Sequence, residues 1–336
     1  MIKKILLILA IIIAGVVIWL AVIDGSYHVK RTVKVDVPVS KAYAFIADYK
    51  NWKDWSPWLI MEKDAEMNYT GEPGTLDHGY SWKGKLTGSG EMTTTKLIPN
   101  ELIEEGLYFK EPFPSNSDVY WTFSGDSTKA EITWGMKGKM PFLFKFMAKQ
   151  MEPMIGMDYE RGLSMLKEKL ETGKVSSEVN VLGVENVDQQ NYIGIEGELE
   201  FEALDTFMNN AYIRLADVIN QHPKLEVAGS PLSIYNDFGM DGGPVHIIAA
   251  IPVQGEITEM EGIVSGMLPA GKALKVQHLG KYENTGNAWS AAFSFIRYNK
   301  LKADNSKQAF EIYTTDPMVE PDQDKWETMV YVPLKQ

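Results

Sequence analysis

Cysteine is absent from all 336 residues. That absence excludes a disulfide framework, thiolate zinc sites, cysteine-held iron–sulfur clusters, a catalytic thiol and a lipidated cysteine. Histidine is sparse. His28, His78, His222, His246 and His278 are scattered without His-Glu-x-x-His or any other ligand spacing, so no metal is expected. No Walker A loop, dinucleotide glycine fingerprint or Gly-x-Ser-x-Gly elbow occurs, and no cofactor is expected either. Positive charge is short in one half only. Residues 1–177 carry 22 Lys and Arg against 22 Asp and Glu, whereas residues 178–336 carry 11 against 23 and hold the whole net charge of −12. Such a field repels nucleic acid and favours cationic partners, although acids spread over a surface also simply keep it soluble.

With 45% hydrophobic and 23% charged residues the chain is globular in composition, and its length suggests two domains. One long apolar run stands out. From Ile5 to Ile23 nineteen residues carry no charge, preceded by Lys3 and Lys4. This is enough for a helix to cross about 30 Å of hydrocarbon, and longer than the roughly 7 to 15 apolar residues of a cleavable signal peptide. Trp19-Leu20-Ala21-Val22-Ile23 offers no small-x-small cleavage site. Residues 1–26 therefore read as an uncleaved transmembrane anchor inserted through residues 5–23. Lys3 and Lys4 favour a cytoplasmic amino terminus, which places the soluble domains on the outer side, while Lys30, Arg31 and Lys34 behind the span weaken that assignment.

Residues 27–174 form the first predicted domain. His28 to Val39 alternates valines with polar residues as a half-buried strand does, and Ser40 reads as the N-cap of a helix carrying Ala42, Phe45, Ile46 and Tyr49. Six strands are predicted near 67–69, 76–82, 85–97, 102–109, 119–123 and 130–138. A long amphipathic helix over 153–171 closes the segment. Strand, helix, six strands and a long helix describe an antiparallel sheet around a terminal helix. The stretches VDVPVSKAYAFIADYKNWKDWSPW, YTGEPGTLDHGYSWKG, GSGEMTTTKLIPNELI and YERGLSMLKEKLE resemble the START-like helix-grip superfamily, in its polyketide cyclase/dehydratase-like branch. That resemblance implies a cavity between sheet and helix for a hydrophobic small molecule or lipid, and no particular reaction. Six of the nine tryptophans lie here, with Trp55, Trp82 and Trp121 the candidates for lining such a cavity; packing the core is the competing reading. Asp48, Asp54, Asp77 and His78 have no spacing of a catalytic pair.

Residues 178–336 form the second predicted domain, with the boundary in the small, polar linker GKVSSEVN of residues 173–180. It contains a duplication. Ile234-Tyr235 aligns with Ile312-Tyr313 and Ile251-Pro252-Val253 with Val332-Pro333-Leu334, each copy preceded by a helix pattern and, before that, a strand. The unit is β-α-β-β used twice, so the whole chain is of α+β class. LPAGKALKVQHLGKYENTGNAWSAAFSFI, FEIYTTDP and KWETMVYVPL resemble the GyrI-like small-molecule-binding domain, which also serves as an effector-binding domain of AraC- and MerR-type regulators. The resemblance implies a pocket at the pseudo-twofold axis, often with an acidic residue that meets a cationic or amphiphilic ligand. Strand alternation puts Glu311 and Tyr313 on one face, with Ser233 and Tyr235 matching them in the first copy. Tyr282, Trp289 and Phe293 flank them, although Trp289 and Phe293 also fit an ordinary helix core. Ligand-binding candidates are thus Glu311, Tyr313, Tyr235, Ser233, Tyr282 and Trp289. The expectation is a membrane-anchored, non-enzymatic small-molecule binder with no assigned catalytic residue. The alternative is a hydrolase of a small electrophile in which Glu311 activates water, since some relatives of the GyrI-like module are hydrolases.

Overall fold

The computed structural model of the protein describes residues 2–111, 114–239, 243–255 and 260–335. They divide into two compact units, one of Met1–Asn51, Met67–Trp82 and Gly88–Glu171, the other of Trp52–Glu66, Lys83–Thr87 and Thr172–Gln336.

In the first unit the apolar run is helix α1 (Ile2–Val22). Its stretch Lys3–Val22 has a mean hydropathy of 3.3 and only 6% of it is buried. Leu20 is the exception, at 4% exposure. Strand β1 (Ser26–Val35) follows, then helix α2 (Val39–Ile46). Helix α2 starts before Ser40, whose side chain does not cap it; Pro38, with φ fixed at −54°, turns the chain into the helix instead. The predicted strands become β2 (Glu66–Thr70), β3 (Gly79–Gly84), β4 (Gly88–Ile98), β5 (Leu102–Glu111), β6 (Ser115–Gly125) and β7 (Ala130–Lys139). They form one antiparallel seven-stranded sheet in the order β1-β7-β6-β5-β4-β3-β2. A short 3-10 turn, Phe142–Met147, leads into helix α3 (Ala148–Thr172). Helix α3 starts five residues before Pro153, because a proline within the opening turns gives up a hydrogen bond without breaking the helix.

The second unit continues with β8 (Ser177–Val187), β9 (Gln190–Leu199), helix α4 (Leu204–Gln221), β10 (Leu225–Val227), β11 (Leu232–Asp237), β12 (Val245–Gly255), β13 (Val264–Leu268), β14 (Gly271–Gly280), helix α5 (Gly286–Tyr298), β15 (Ala309–Tyr313) and β16 (Glu327–Pro333). The sheet order β13-β9-β12-β11-β15-β16-β14-β8 contains the duplication: β9-α4-β11-β12 is one copy and β14-α5-β15-β16 the other. The copies meet at the antiparallel pair β11–β15, where Ser233 is the register partner of Glu311, so matching positions of the two repeats face each other. Apolar side chains of β14, β16 and α5 form one core, joined by Met61 and Leu86. A second lies under α4, around Ile193, Leu215, Ile251 and Val253. A third packs Leu232, Ile234, Ile248, Phe310 and Tyr331 on the opposite face of the sheet.

Candidate functional site

Strand β15 reads Ala309-Phe310-Glu311-Ile312-Tyr313. Because side chains alternate, Phe310 and Ile312 join the third core, while Glu311 and Tyr313 point to the face that carries the helices. Glu311 is only 4% exposed, yet its carboxylate is well supplied with donors. Trp289 Nε1 from α5 donates to Oε1. Tyr313 OH donates to Oε2 at 2.6 Å and itself lies 2.7 Å from Ser233 Oγ, which gives a chain Ser233–Tyr313–Glu311. The Tyr235 hydroxyl is a further hydrogen-bond partner of the carboxyl. Burial holds the Glu311 carboxyl above the usual carboxylate range, with the hydroxyl and indole donors pulling the other way. Tyr313 and Tyr235 are in turn pushed up by burial first and by the Glu311 charge second.

Aromatic rings surround this carboxyl. Tyr282 meets Tyr313 edge-on at 5.2 Å, and its hydroxyl is held by Thr315 O at 2.8 Å. Tyr235 stacks on Phe238 at 4.7 Å, and both present edges to Trp289, at 5.4 and 4.9 Å. Tyr235, Phe238, Tyr282 and Tyr313 are half-buried, so the cluster is not fully enclosed. A desolvated carboxyl faced by aromatic rings can hold a cation by charge and ring contact, or can exchange a proton with a bound molecule. All six residues singled out in this half are brought together. Tyr212 of α4 was not foreseen: its hydroxyl donates to Leu232 O at 3.0 Å and its ring meets Tyr313 at 6.3 Å. Phe238, just beyond β11, was not foreseen either, and neither has a sequence signature beyond being aromatic.

In the first unit Trp121 and Trp134 are cross-strand partners stacked at 4.5 Å, and Trp134 stacks on Tyr159 of α3 at 4.0 Å, all fully buried. Trp82 packs between Tyr80 and Phe109. Trp55, beside Trp52 at 5.4 Å, belongs to the second compact unit. The missed residue is Glu105 on β5, 2% exposed, which accepts from Trp121 Nε1 at 3.2 Å. Burial raises its carboxyl to about 8, against the hydrogen bonds from Tyr49 and Trp121. A signal existed, because Glu105 shares its strand phase with the buried Ile103 and Leu107.

Two clefts are recorded elsewhere. One of about 580 Å³ lies among Ser26, Tyr27, His28, Asn116, Ser117, Asp118, Lys137, Gly138 and Lys139; one of about 180 Å³ is lined by residues including Gln190, Leu268, Phe310 and Tyr331. Neither is lined by any of the nine predicted site residues. Among the described residues no group of three or more His, Asp and Glu side chains is placed to hold a metal.

Two family models match the chain in series. "Polyketide cyclase / dehydrase and lipid transport" matches residues 26–171, and "GyrI-like small molecule binding domain" matches residues 183–335. The chain carries these two domains, in that order. No curated protein matches it. Among solved structures, an EcmrR–DNA complex is 15% identical, over 54% of this chain and 66% of its own, with a TM-score of 0.42. SAV2435 bound to tetraphenylphosphonium is 14% identical, over 45% of this chain and 92% of its own, with a TM-score of 0.35. The Aha1 dimer from Colwellia psychrerythraea is 17% identical, over 44% and 98%, with a TM-score of 0.32.

Proposed function

We propose that this protein is a membrane-tethered small-molecule binder whose second unit takes a cationic or amphiphilic ligand against Glu311, and whose helix-grip unit takes an apolar one. The observation that carries the reading is Glu311 itself, a buried carboxyl whose partners among the described residues are the Tyr313 and Tyr235 hydroxyls and the Trp289 indole N–H rather than a lysine or arginine. Its natural counter-charge is then a ligand. The acid excess of residues 178–336 supports a cationic ligand and opposes nucleic acid as a partner. An anchor is supported by the apolar surface that α1 exposes around its circumference, and Lys3 and Lys4 ahead of the span favour soluble domains on the outer side. A cleaved signal sequence is the competing reading of α1, and an intact amino terminus in the membrane fraction decides between them. The hydrogen-bonded pair of Tyr313 and Glu311 also suits proton transfer, so the same site supports a hydrolase as the second reading.

The test is calorimetric titration of a cationic dye and its neutral isostere against wild type and Glu311→Gln. The cation should bind the variant more weakly by about 1.5 to 3 kcal/mol, with the neutral compound unaffected. Equal affinities in all four titrations overturn the site. Turnover of a strained electrophile that is lost in Glu311→Gln while its binding survives decides for the hydrolase.

A further inference from the structure

The exit of α1 is fastened to the first unit rather than loosely tethered. Lys145 Nζ donates to Ile23 O at 3.2 Å, Met140 N donates to Gly25 O at 2.8 Å, and the Trp19 ring stacks on Phe146 at 6.5 Å. Gly25 leaves no room for a side chain, since a Cβ there meets Lys145 Cγ at 2.6 Å. The 3-10 turn Phe142–Met147 is therefore held beside the last turns of α1. That turn is exposed and apolar: Leu143 is 65% exposed, and Phe142, Phe144 and Phe146 are all exposed as well. Residues 137–150 contain Lys137, Lys139, Lys145 and Lys149 and no acid. Of the acids nearby, Asp24 accepts from the amide of Ser26 and lies in the field of Lys139 and Lys145, Glu152 pairs with Arg31, and Asp118 is the register partner of Lys137, so the lysines outnumber the acids left to face them.

We propose that the turn Phe142–Phe146 inserts into the interface of an anionic bilayer, in the leaflet where α1 emerges, with Lys139 and Lys149 meeting lipid phosphates. The proposal rests on reading α1 as a membrane span. Apolar rings flanked by lysines are the composition of an interfacial anchor, and Trp19 sits where interfacial aromatics gather. A fixed exit and an inserted turn give two points of attachment, which sets the orientation of the first unit on the membrane as a single flexible tether does not.

The cysteine-free chain permits single labels without other changes. Full-length Ile11→Cys, Leu143→Cys and Met318→Cys, each carrying an environment-sensitive fluorophore, are placed in nanodiscs of phosphatidylcholine with or without phosphatidylglycerol. Leu143 and Met318 are highly exposed, so their replacement leaves packing intact. The label at Leu143→Cys should be quenched by shallow spin-labelled lipid several-fold more strongly than that at Met318→Cys, and more strongly with phosphatidylglycerol than without. If the label at Ile11→Cys is quenched by lipid and that at Leu143→Cys only by aqueous iodide, the inserted turn is refuted while the span stands. If neither is quenched by lipid, the span itself fails. A label at Leu143→Cys shielded from both quenchers means a protein covers the turn, which also overturns the proposal; equal quenching in the two lipids overturns its anionic part.

Discussion

Glu105 and Glu311 are carboxyls placed at the apolar phase of a strand, and the two surroundings differ in what they allow. Glu311 has half-buried rings beside it, whereas Glu105 faces Trp121 and lies in the field of the buried Tyr49, Tyr80 and Tyr159. The phase of Glu105 was legible, since Ile103 and Leu107, two residues to either side, put it on their face of the strand. Its burial depth was not, because Tyr159 and Trp134 come from elements far along the chain. With its carboxyl raised from 4.5 to about 8, Glu105 keeps a proton in the folded state that the unfolded chain loses between those values. That contribution is fully present below the unfolded value and is lost as pH rises through the folded one. Glu105→Gln, neutral and nearly isosteric, should therefore match wild type in acid and exceed it by about 3 to 5 kcal/mol above pH 8. Urea denaturation of the two proteins across that range checks this, and parallel pH profiles refute it.

At the scale of elements, the order of strand, helix, six strands and helix was readable because each strand alternates and each is punctuated by glycine, proline or asparagine. The repeat was readable because β11 and β15 carry the same Ile-Tyr pair. Strands β8, β10 and β13 lay outside that unit, for their pairing depends on register partners that no local pattern names. Nor does the sequence announce that Trp52–Glu66 and Lys83–Thr87 group with the second unit. One side chain accounts for how they hold together. Glu62, largely buried, accepts from the backbone N–H groups of Lys85, Leu86 and Thr87 at 2.6, 2.9 and 2.9 Å and from Thr87 Oγ1 at 2.9 Å. These residues are the three-residue loop between β3 and β4, which Gly88 closes at φ +69°. Glu62→Ala leaves three amides without their acceptor, and each such loss costs about 1 to 3 kcal/mol when buried. The variant should lose about 3 kcal/mol of stability, with hydrogen exchange at Leu86 and Thr87 accelerated before that of β4. Unchanged exchange at both amides would show that the loop holds itself.

Over the whole molecule, α1 adds little to any core. Among the described residues, the buried clusters of the second unit contain none from α1, and in the first unit α1 contributes Leu20 alone. A chain beginning at Ile23 keeps the Ile23–Lys145 and Gly25–Met140 hydrogen bonds and forfeits the half-exposed Trp19–Phe146 stack and one buried leucine, the latter about 2 kcal/mol of apolar burial. Its first unit should therefore melt about 4 to 8 °C lower and still unfold cooperatively, while the second unit is unaffected. The truncated chain should stay in the supernatant after membrane pelleting, where the full-length chain sediments and is released only by detergent. Scanning calorimetry and a pelleting assay on both proteins measure the two effects separately. A truncated chain that unfolds altogether would mean that α1 is part of the first core. A full-length chain recovered in the supernatant would mean that its exposed apolar surface is covered by something other than lipid.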